Sequence, residues 1–494
     1  MKELQATAYD SNVYKDENLL YKNKLIDPVT LKKNLTYLWG KDSDMFPLHT
    51  MTEGQGALKS VKPKALNDTQ YTWDVMGRMK NTTRVVGLVN TGLTKPGLAN
   101  QPFEVIFEDN WIHAQYGAFT PDGLHQVRFN SEPQKIGVKQ YKAWVVLKTT
   151  DPAAYINLDN FAPGKAWAQT ATSVAASKSD GTTSNAMLPG KWTNQFGFFR
   201  YSQQIAGNIA NKALNIQFEL EGGGTTNMWM PFQMKQFELH IRQMNEERLW
   251  YDEYNRNADG EITLKDPETG EPIPQGAGVK QTLKAVNNYD TFSILTKSKL
   301  DSTVKAVMNN RVDSTPMEIV LYTGKGGAEM FHEAIMADAT GNSYYNALGD
   351  KVISGGEYLT YGNYFRQYKT IDGKLITVKV VNLFDHGSRA EAQRQNGMIY
   401  KGYPYDSYTL VFLDQSKDNG GERNVTMVAE DGREYLTGIY RGMSPIPSVW
   451  GKLPSSSEAM LLSTRKDVAA YEVMGSMGIA ITNPTTSFWL DFSR

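Results

Sequence analysis

From Gln70 to about Lys148 apolar and polar residues alternate in short runs: QYTWDV, FEVIFED, LHQVRF and YKAWVVLK. Each run combines aromatic and β-branched side chains with a period of two, the pattern of a half-buried strand. Pro121-Asp122-Gly123 and Ser131-Glu132-Pro133 supply turn chemistry between them, so long antiparallel hairpins are expected. The pattern dissolves between 161 and 195 into Ala, Ser, Thr, Gly and Asn, as in SVAASKSDGTTSNAM. A loop is expected there, mobile or ordered by a partner.

A period near 3.6 takes over at 232–254, FQMKQFELHIRQMNEERLWYDEY, where Met234, Phe237, Ile241, Met244 and Tyr251 share a face. Pro231 suits the start of this helix, where its missing N–H has no intrahelical partner. Such a helix is roughly 35 Å long, enough to span a domain. Glu246-Glu247 read as its wet face and His240 as a solvated residue. A second stripe, Leu300, Val304, Val307 and Met308, predicts a helix over 299–310. A strand MEIVLYT, a glycine turn GKGG and a helix AEMFHEAIMADA follow. Past residue 370 strands return in KLITVKVVNLF, SYTLVFL, NVTMVAE, EYLTGIYRG, GIAITNP and SFWLDF. Near the start, Asp27-Pro28 opens a short helix with Leu31, Leu35 and Leu38, ended by Gly40. Its one thin apolar stripe fits an arm that buries itself on a neighbouring copy. No fixed-period repeat is present, and separated helices among antiparallel strands predict an α+β fold.

Composition narrows the function. The chain of 494 residues balances 52 basic against 53 acidic side chains, whereas a protein gripping phosphates over its surface carries a basic excess. It has no cysteine, which removes disulfides, thiolate metal sites and thiol catalysis, and which fits a reducing cytoplasm. The polar opening MKELQATAYDSNVYKDENLL contains no secretory signal, and starting at Met1 is expected to mean no N-terminal trimming. The longest apolar stretch, VAAYEVMGSMGIAIT, is interrupted by Glu472 and glycines and is too short for a bilayer. Ten Trp, twenty-six Tyr and nineteen Phe exceed what one core needs, so some are expected at interfaces, against the plainer alternative of a Tyr-rich core.

Each candidate for chemistry lacks a required residue. Gly324, Gly326 and Gly327 suggest a phosphate loop, but GxxxxGK[ST] needs a glycine where Ile319 stands and a hydroxyl where Gly326 follows Lys325. Asn255, Asn257, Asp259, Gly260, Glu261 and Asp266 match positions of a calcium loop. Position one is an amide, Asp266 is short for bidentate reach, and Pro267 forbids the exiting helix, so a polar hairpin is the better account. His49, His113, His125, His240, His332 and His386 show no metal-ligand spacing, and His332-Glu333 lacks the second histidine of HExxH. Gly475-Ser-Met-Gly is not a nucleophile elbow. No catalytic residue, cofactor or metal is expected. The competing readings are a nucleotide-binding enzyme using GKGG and a calcium- or glycan-binding module using 255–266.

Several segments, in order, resemble major capsid proteins of tailed bacteriophages with the Hong Kong 97-like fold, most of all those of crAss-like phages of gut Bacteroidales. TEGQGALKSVKPKALNDTQYTWDVMGR is similar to the arm region, and FEVIFEDNWIHAQYGAFTPDG through YKAWVVLK to the extended β-hairpin loop. GKWTNQFGFFRYSQQIAGN with FELHIRQMNEERLWYDEY resembles the approach to the spine helix and its body. PMEIVLYTGKGGAEMFHEAI, a strand-rich region and ITNPTTSFWLDF follow the family's peripheral-axial-peripheral path. The resemblance runs from about residue 50 to the end. It implies an N-terminal arm over 1–60, an extended β-rich loop over 61–150, and a peripheral domain with polar loop and spine helix over 151–315. An axial domain over 316–465 and a return to the peripheral domain over 466–494 complete the path. It further implies a virion shell of hexamers and pentamers around double-stranded DNA, without sequence-specific binding and without a membrane. Assembly in the host cytoplasm, with portal, head auxiliary or decoration proteins and a scaffold, belongs to the same expectation. The Lys–Asn cross-link of one family variant does not map onto this sequence.

Overall fold

The computed structural model describes residues 13–14, 46–49, 58–62, 64, 68–77, 79–177, 180–206, 213–219, 225–309, 318–339, 367–369, 375–417, 421–441, 466 and 468–493. The arm helix expected over 27–40 lies outside the described residues. The chain forms two compact units, Asp74–Gly190 and the combination of Met1–Trp73 with Lys191–Arg494.

In Asp74–Gly190 the alternating runs close on themselves. Phe103–Phe107 pairs with Thr82–Leu88, which pairs with Ala166–Thr172, and that strand pairs with Tyr116–Phe119. Gln126–Phe129 and Gln140–Leu147 continue the ring, and the latter returns to Phe103–Phe107. Every pairing is antiparallel, and closure leaves none of these strands as a sheet edge. The period of two sends Phe103, Val105 and Phe107 inward, to meet Ala143, Val145, Leu147, Val127 and Phe129. Gln134–Gly137 hairpins onto Gln140–Leu147 through Lys139, at φ 52°.

The loop expected over 161–195 is partly a strand. Ala166–Thr172 belongs to the ring, and its Trp167 is fully buried with Nε1 donating to the Asn160 carbonyl at 3.1 Å. Small residues around one tryptophan give little hydrophobic signal, but backbone pairing on both sides makes the strand. The compact unit accordingly runs on to Gly190.

The larger unit holds two six-stranded sheets. The apolar stretch near the C-terminus is the 14-residue strand Val468–Ile481. Gly197–Ala206 lines one edge of it, while Leu436–Arg441 and Val425–Glu430 share the other. Gly475 is required there: a Cβ would stand 2.5 Å from the Phe199 ring. Val13–Tyr14 adds in parallel to Gly197–Ala206, and Leu58–Val61 in parallel to Val425–Glu430. The second sheet runs Tyr289–Phe292, Phe488–Phe492, Leu410–Asp414, Glu318–Thr323, Leu375–Val380, Gln367–Lys369. Leu410–Asp414 is buried throughout, as a strand covered on both faces must be.

Helices α1 (Trp229–Tyr251), α2 (Val279–Ala285), α3 (Lys297–Asn309), α4 (Lys325–Ala339), α5 (Asn382–His386) and α6 (Ser388–Gln395) belong to this unit. Helix α1 lies three residues ahead of the expected 232–254, with Pro231 in its first turn, where N–H groups have no intrahelical acceptor. Ile241 is buried, and Phe237, Met244 and Tyr251 pack against the core beside it; the Met234 side chain lies outside the described residues. In KLITVKVVNLF the strand stops at Val380 and Asn382–His386 turns helical, carrying Leu383 and Phe384 into the core. There Trp250 sits among the rings of Tyr322, Phe384 and Trp489 at 5.8, 5.4 and 5.9 Å between centroids. Much of the aromatic surplus is therefore core.

Candidate functional site

The hydrogen-bonding centre of the larger unit is a residue expected on a wet surface. Glu246 is fully buried. Its carboxylate accepts from the Leu48 N–H at 2.9 Å, the His49 N–H at 3.1 Å and Trp250 Nε1 at 2.9 Å, and stands 2.7 Å from His49 Nδ1. A buried carboxylate is stable only when so satisfied, and here it ties residues 46–49 to α1. Phe46 and Leu48 are buried with it. Glu247 is also bonded within the chain: it accepts from the Ser388 N–H at 2.8 Å and from the Ser388 hydroxyl, at the start of α6. Both carboxylates were expected on a solvated face; Glu246 is turned inward instead, while Glu247 stays half-exposed beside Ser388.

The end of α1 is locked by charge and rings together. Lys280 pairs with Asp491 at 2.5 Å and lies 5.6–5.9 Å from the ring centroids of Tyr251, Tyr289 and Trp489. Trp489 Nε1 and the Tyr289 hydroxyl donate to the same Asp491 carboxylate, at 2.7 and 2.9 Å. Burial and that carboxylate push the Tyr289 hydroxyl up to about 12. Arg389 stacks on Tyr251 at 4.1 Å and donates through Nε to Asp406 at 2.9 Å. A cleft of about 520 Å³ opens beside Tyr251 and Arg389, but Arg248, also lining it, is taken up by Asp252 at 2.6 Å.

Of the GKGG residues expected as a turn, Gly324 alone lies between Glu318–Thr323 and α4; Lys325, Gly326 and Gly327 already form the first turn of that helix, and the N–H groups of Lys325 and Gly326 are occupied. Lys325 N–H donates to both oxygens of Asp385 at 3.2 Å, and Gly326 N–H donates to Ser407 Oγ at 2.9 Å. Ser407 in turn donates to Asp385 at 2.6 Å. A helix N-terminus attracts an anion, and the chain supplies its own. Burial holds the Asp385 carboxyl above the usual carboxylate range, against the Ser407 and Lys325 hydrogen bonds. The glycines make room: a Cβ on Gly324 would stand 2.7 Å from Ser407 Cα, and one on Gly326 2.8 Å from the Tyr408 ring.

The 255–266 segment is a chain of turns closed by the bridges Arg256–Ile262 and Lys265–Pro272. Asn255 Oδ1 accepts from Gln275 N–H at 3.0 Å and Gln195 Nε2 at 2.7 Å. Asn257 Oδ1 accepts from Glu261 N–H at 2.8 Å, and Asp266 Oδ1 from Glu268 N–H at 2.9 Å. These oxygens shape the turns. Among the described residues no group of three or more His, Cys, Asp or Glu is placed to hold a metal, and no helix is long and apolar enough to cross a membrane.

The Crassvirus major capsid protein family model matches residues 12–493. The chain belongs to that family. Its role is to form a capsid, and its place is the virion. Solved structures similar to this capsid protein include a chain from Microbacterium phage Oxtober96, at 9% identity and TM-score 0.35, covering 97% of this chain and 99% of that one. A chain titled as the capsid of an empty GTA particle computed with C5 symmetry has 6% identity and TM-score 0.33, covering 97% and 100%. One from Mycobacterium phage Bobi has 10% identity and TM-score 0.32, covering 66% and 81%. Superpositions this loose add no weight to the family match. No curated protein sequence matches.

For a capsid protein the functional surface is the one that meets other subunits. In the smaller unit Val138 at the hairpin turn is 89% exposed and Leu188 is 90% exposed, with Leu124, Ile136 and Trp144 also outside. In the larger unit Phe198, Leu436 and Met474 stand outward on the sheet built around Val468–Ile481. No sequence pattern separates these exposed apolar positions from core ones. His240 is exposed, as expected, whereas His49 and His113 are held by Glu246 and Glu132.

Proposed function

We propose that the chain assembles with itself, as hexamers and pentamers, into an icosahedral head shell with the Hong Kong 97-like fold around double-stranded DNA. The observation that carries this reading is the family match over 12–493. The near balance of 52 basic and 53 acidic residues supports a shell that contains DNA without gripping its sequence. The role is structural and not catalytic: the phosphate-loop N–H groups already hold Asp385 and Ser407, and the calcium-loop oxygens close turns. The path is an arm over 1–60, an extended β-rich loop over 61–150, a peripheral domain over 151–315 containing α1 as its spine, an axial domain over 316–465 and a C-terminal return over 466–494. Assembly takes place in the cytoplasm of the bacterial host, with portal, auxiliary or decoration proteins and a scaffold as partners. Sedimentation velocity over a concentration series tests this: the purified chain sediments as capsomers and larger bodies. A chain that stays monomeric at every concentration, alone and with head proteins of the same phage, contradicts it.

A further inference from the structure

In the Asp74–Gly190 unit, His113 has an acceptor facing each ring nitrogen. Nδ1 is 2.9 Å from Glu132 Oε2 and Nε2 is 2.8 Å from Asn185 Oδ1. Both partners are fixed. Asn185 Nδ2 donates to the Trp111 carbonyl, which aims Oδ1 at the ring. Glu132 Oε1 accepts from the Ala114 N–H at 3.2 Å. A neutral imidazole has one N–H and one lone pair, so it satisfies one of these acceptors and opposes the other; the imidazolium satisfies both.

What the ring holds is thinly attached. Residues 180–189 form neither strand nor helix, and most of them are exposed. Besides Asn185, Met187 is attached through its sulfur, which accepts from the Lys80 N–H at 3.0 Å. Glu132 is the charged group in contact with the ring, and Asn185 faces it uncharged; Asp109 is paired with Lys80 and accepts from Thr83.

We propose that His113 is a pH-operated clasp, which as imidazolium holds 180–189 to the ring of strands through Asn185 and on losing its proton releases that segment. The proton that remains stays on Nδ1, facing the carboxylate. Nε2 then presents a lone pair to Asn185 Oδ1, and the amide has to turn over or leave, giving up the Trp111 carbonyl. Burial opposes the charge, but the hydrogen bonds to Glu132 and Asn185 and the charge of Glu132 outweigh it and hold the pKa above the ordinary 6.5. With a raised folded-state value, the stabilisation is complete below 6.5 and is lost as pH rises through the value held by the fold.

Hydrogen–deuterium exchange on the full chain, corrected for the intrinsic rate at each pH, tests the clasp between about pH 5.5 and about pH 8.5. Exchange at the Lys80 amide, which donates to Met187 within 180–189, is expected to rise about tenfold across this range while that of 103–107 stays flat. Glu132→Gln removes the charge and moves the rise to lower pH. Asn185→Asp adds one and moves it to higher pH by about one unit. His113→Phe is open throughout. A flat corrected profile for the Lys80 amide in the unaltered protein overturns the proposal, and so do Glu132→Gln and Asn185→Asp profiles that coincide with it. Neither outcome bears on shell formation.

Discussion

In the Asp74–Gly190 unit each strand of the ring gains its second neighbour by closure. In the larger unit the sheet around Val468–Ile481 receives short pieces from far upstream, Val13–Tyr14 on one side and Leu58–Val61 on the other. The ring's stability therefore resides in its own core, Phe107, Phe129, Phe161 and Trp167 in mutual contact. The open sheets depend on tethers that cross the sequence, such as Glu246 reaching Leu48 over 198 positions. Closure makes a unit self-sufficient, and tethering makes one that responds to what its distant segments do.

Substitutions separate the two modes. Trp167→Ala is expected to cost about 3–5 kcal/mol, from lost burial and the cavity left behind. Exchange protection should fall over 103–107 and 140–147 while 410–414 keeps its own; equal loss in both units would break the distinction. Glu246→Gln replaces an acceptor with a group that also donates, facing donors on every side, and should cost about 2–3 kcal/mol. Limited proteolysis then cuts near residues 46–49 first, and an unchanged pattern would remove Glu246 as the tether.

Smaller effects refine the picture. Gly327→Ala pushes a methyl into Thr323 Oγ1 and the Ser407 carbonyl, and overpacking there should cost about 1–2 kcal/mol in urea unfolding. Lys59→Ala removes a pair with Glu422 in which both side chains are more than half exposed, and should change stability by less than about 0.5 kcal/mol. A large loss at Lys59 would mean that Leu58–Val61 is held by that ion pair and not by its main-chain pairing.

The difference between the units also explains what was legible in the sequence. Strands dense in aromatic and β-branched residues, such as FEVIFED and YKAWVVLK, carry their fold locally and were readable. The junction at Gly324 was readable too, but the start of α4 was not: Lys325, Gly326 and Gly327 form its first turn, with Asp385 and Ser407 as acceptors for the first N–H groups. Ala166–Thr172 was not readable, since its strand character comes from neighbours and from one buried tryptophan. Glu246 read as solvated because two of its three partner residues, Leu48 and His49, stand almost two hundred positions away, and Asp385 left no trace at the helix start it caps, 60 positions upstream. Periodicity reports which face of an element is apolar; it does not report a carboxylate buried because donors converge on it.

Electron microscopy of the purified chain, brought to assembly conditions alone and with head proteins of the same phage, tests the central claim most directly. Closed icosahedral shells are the expected result. Discrete monomers under every condition would contradict it.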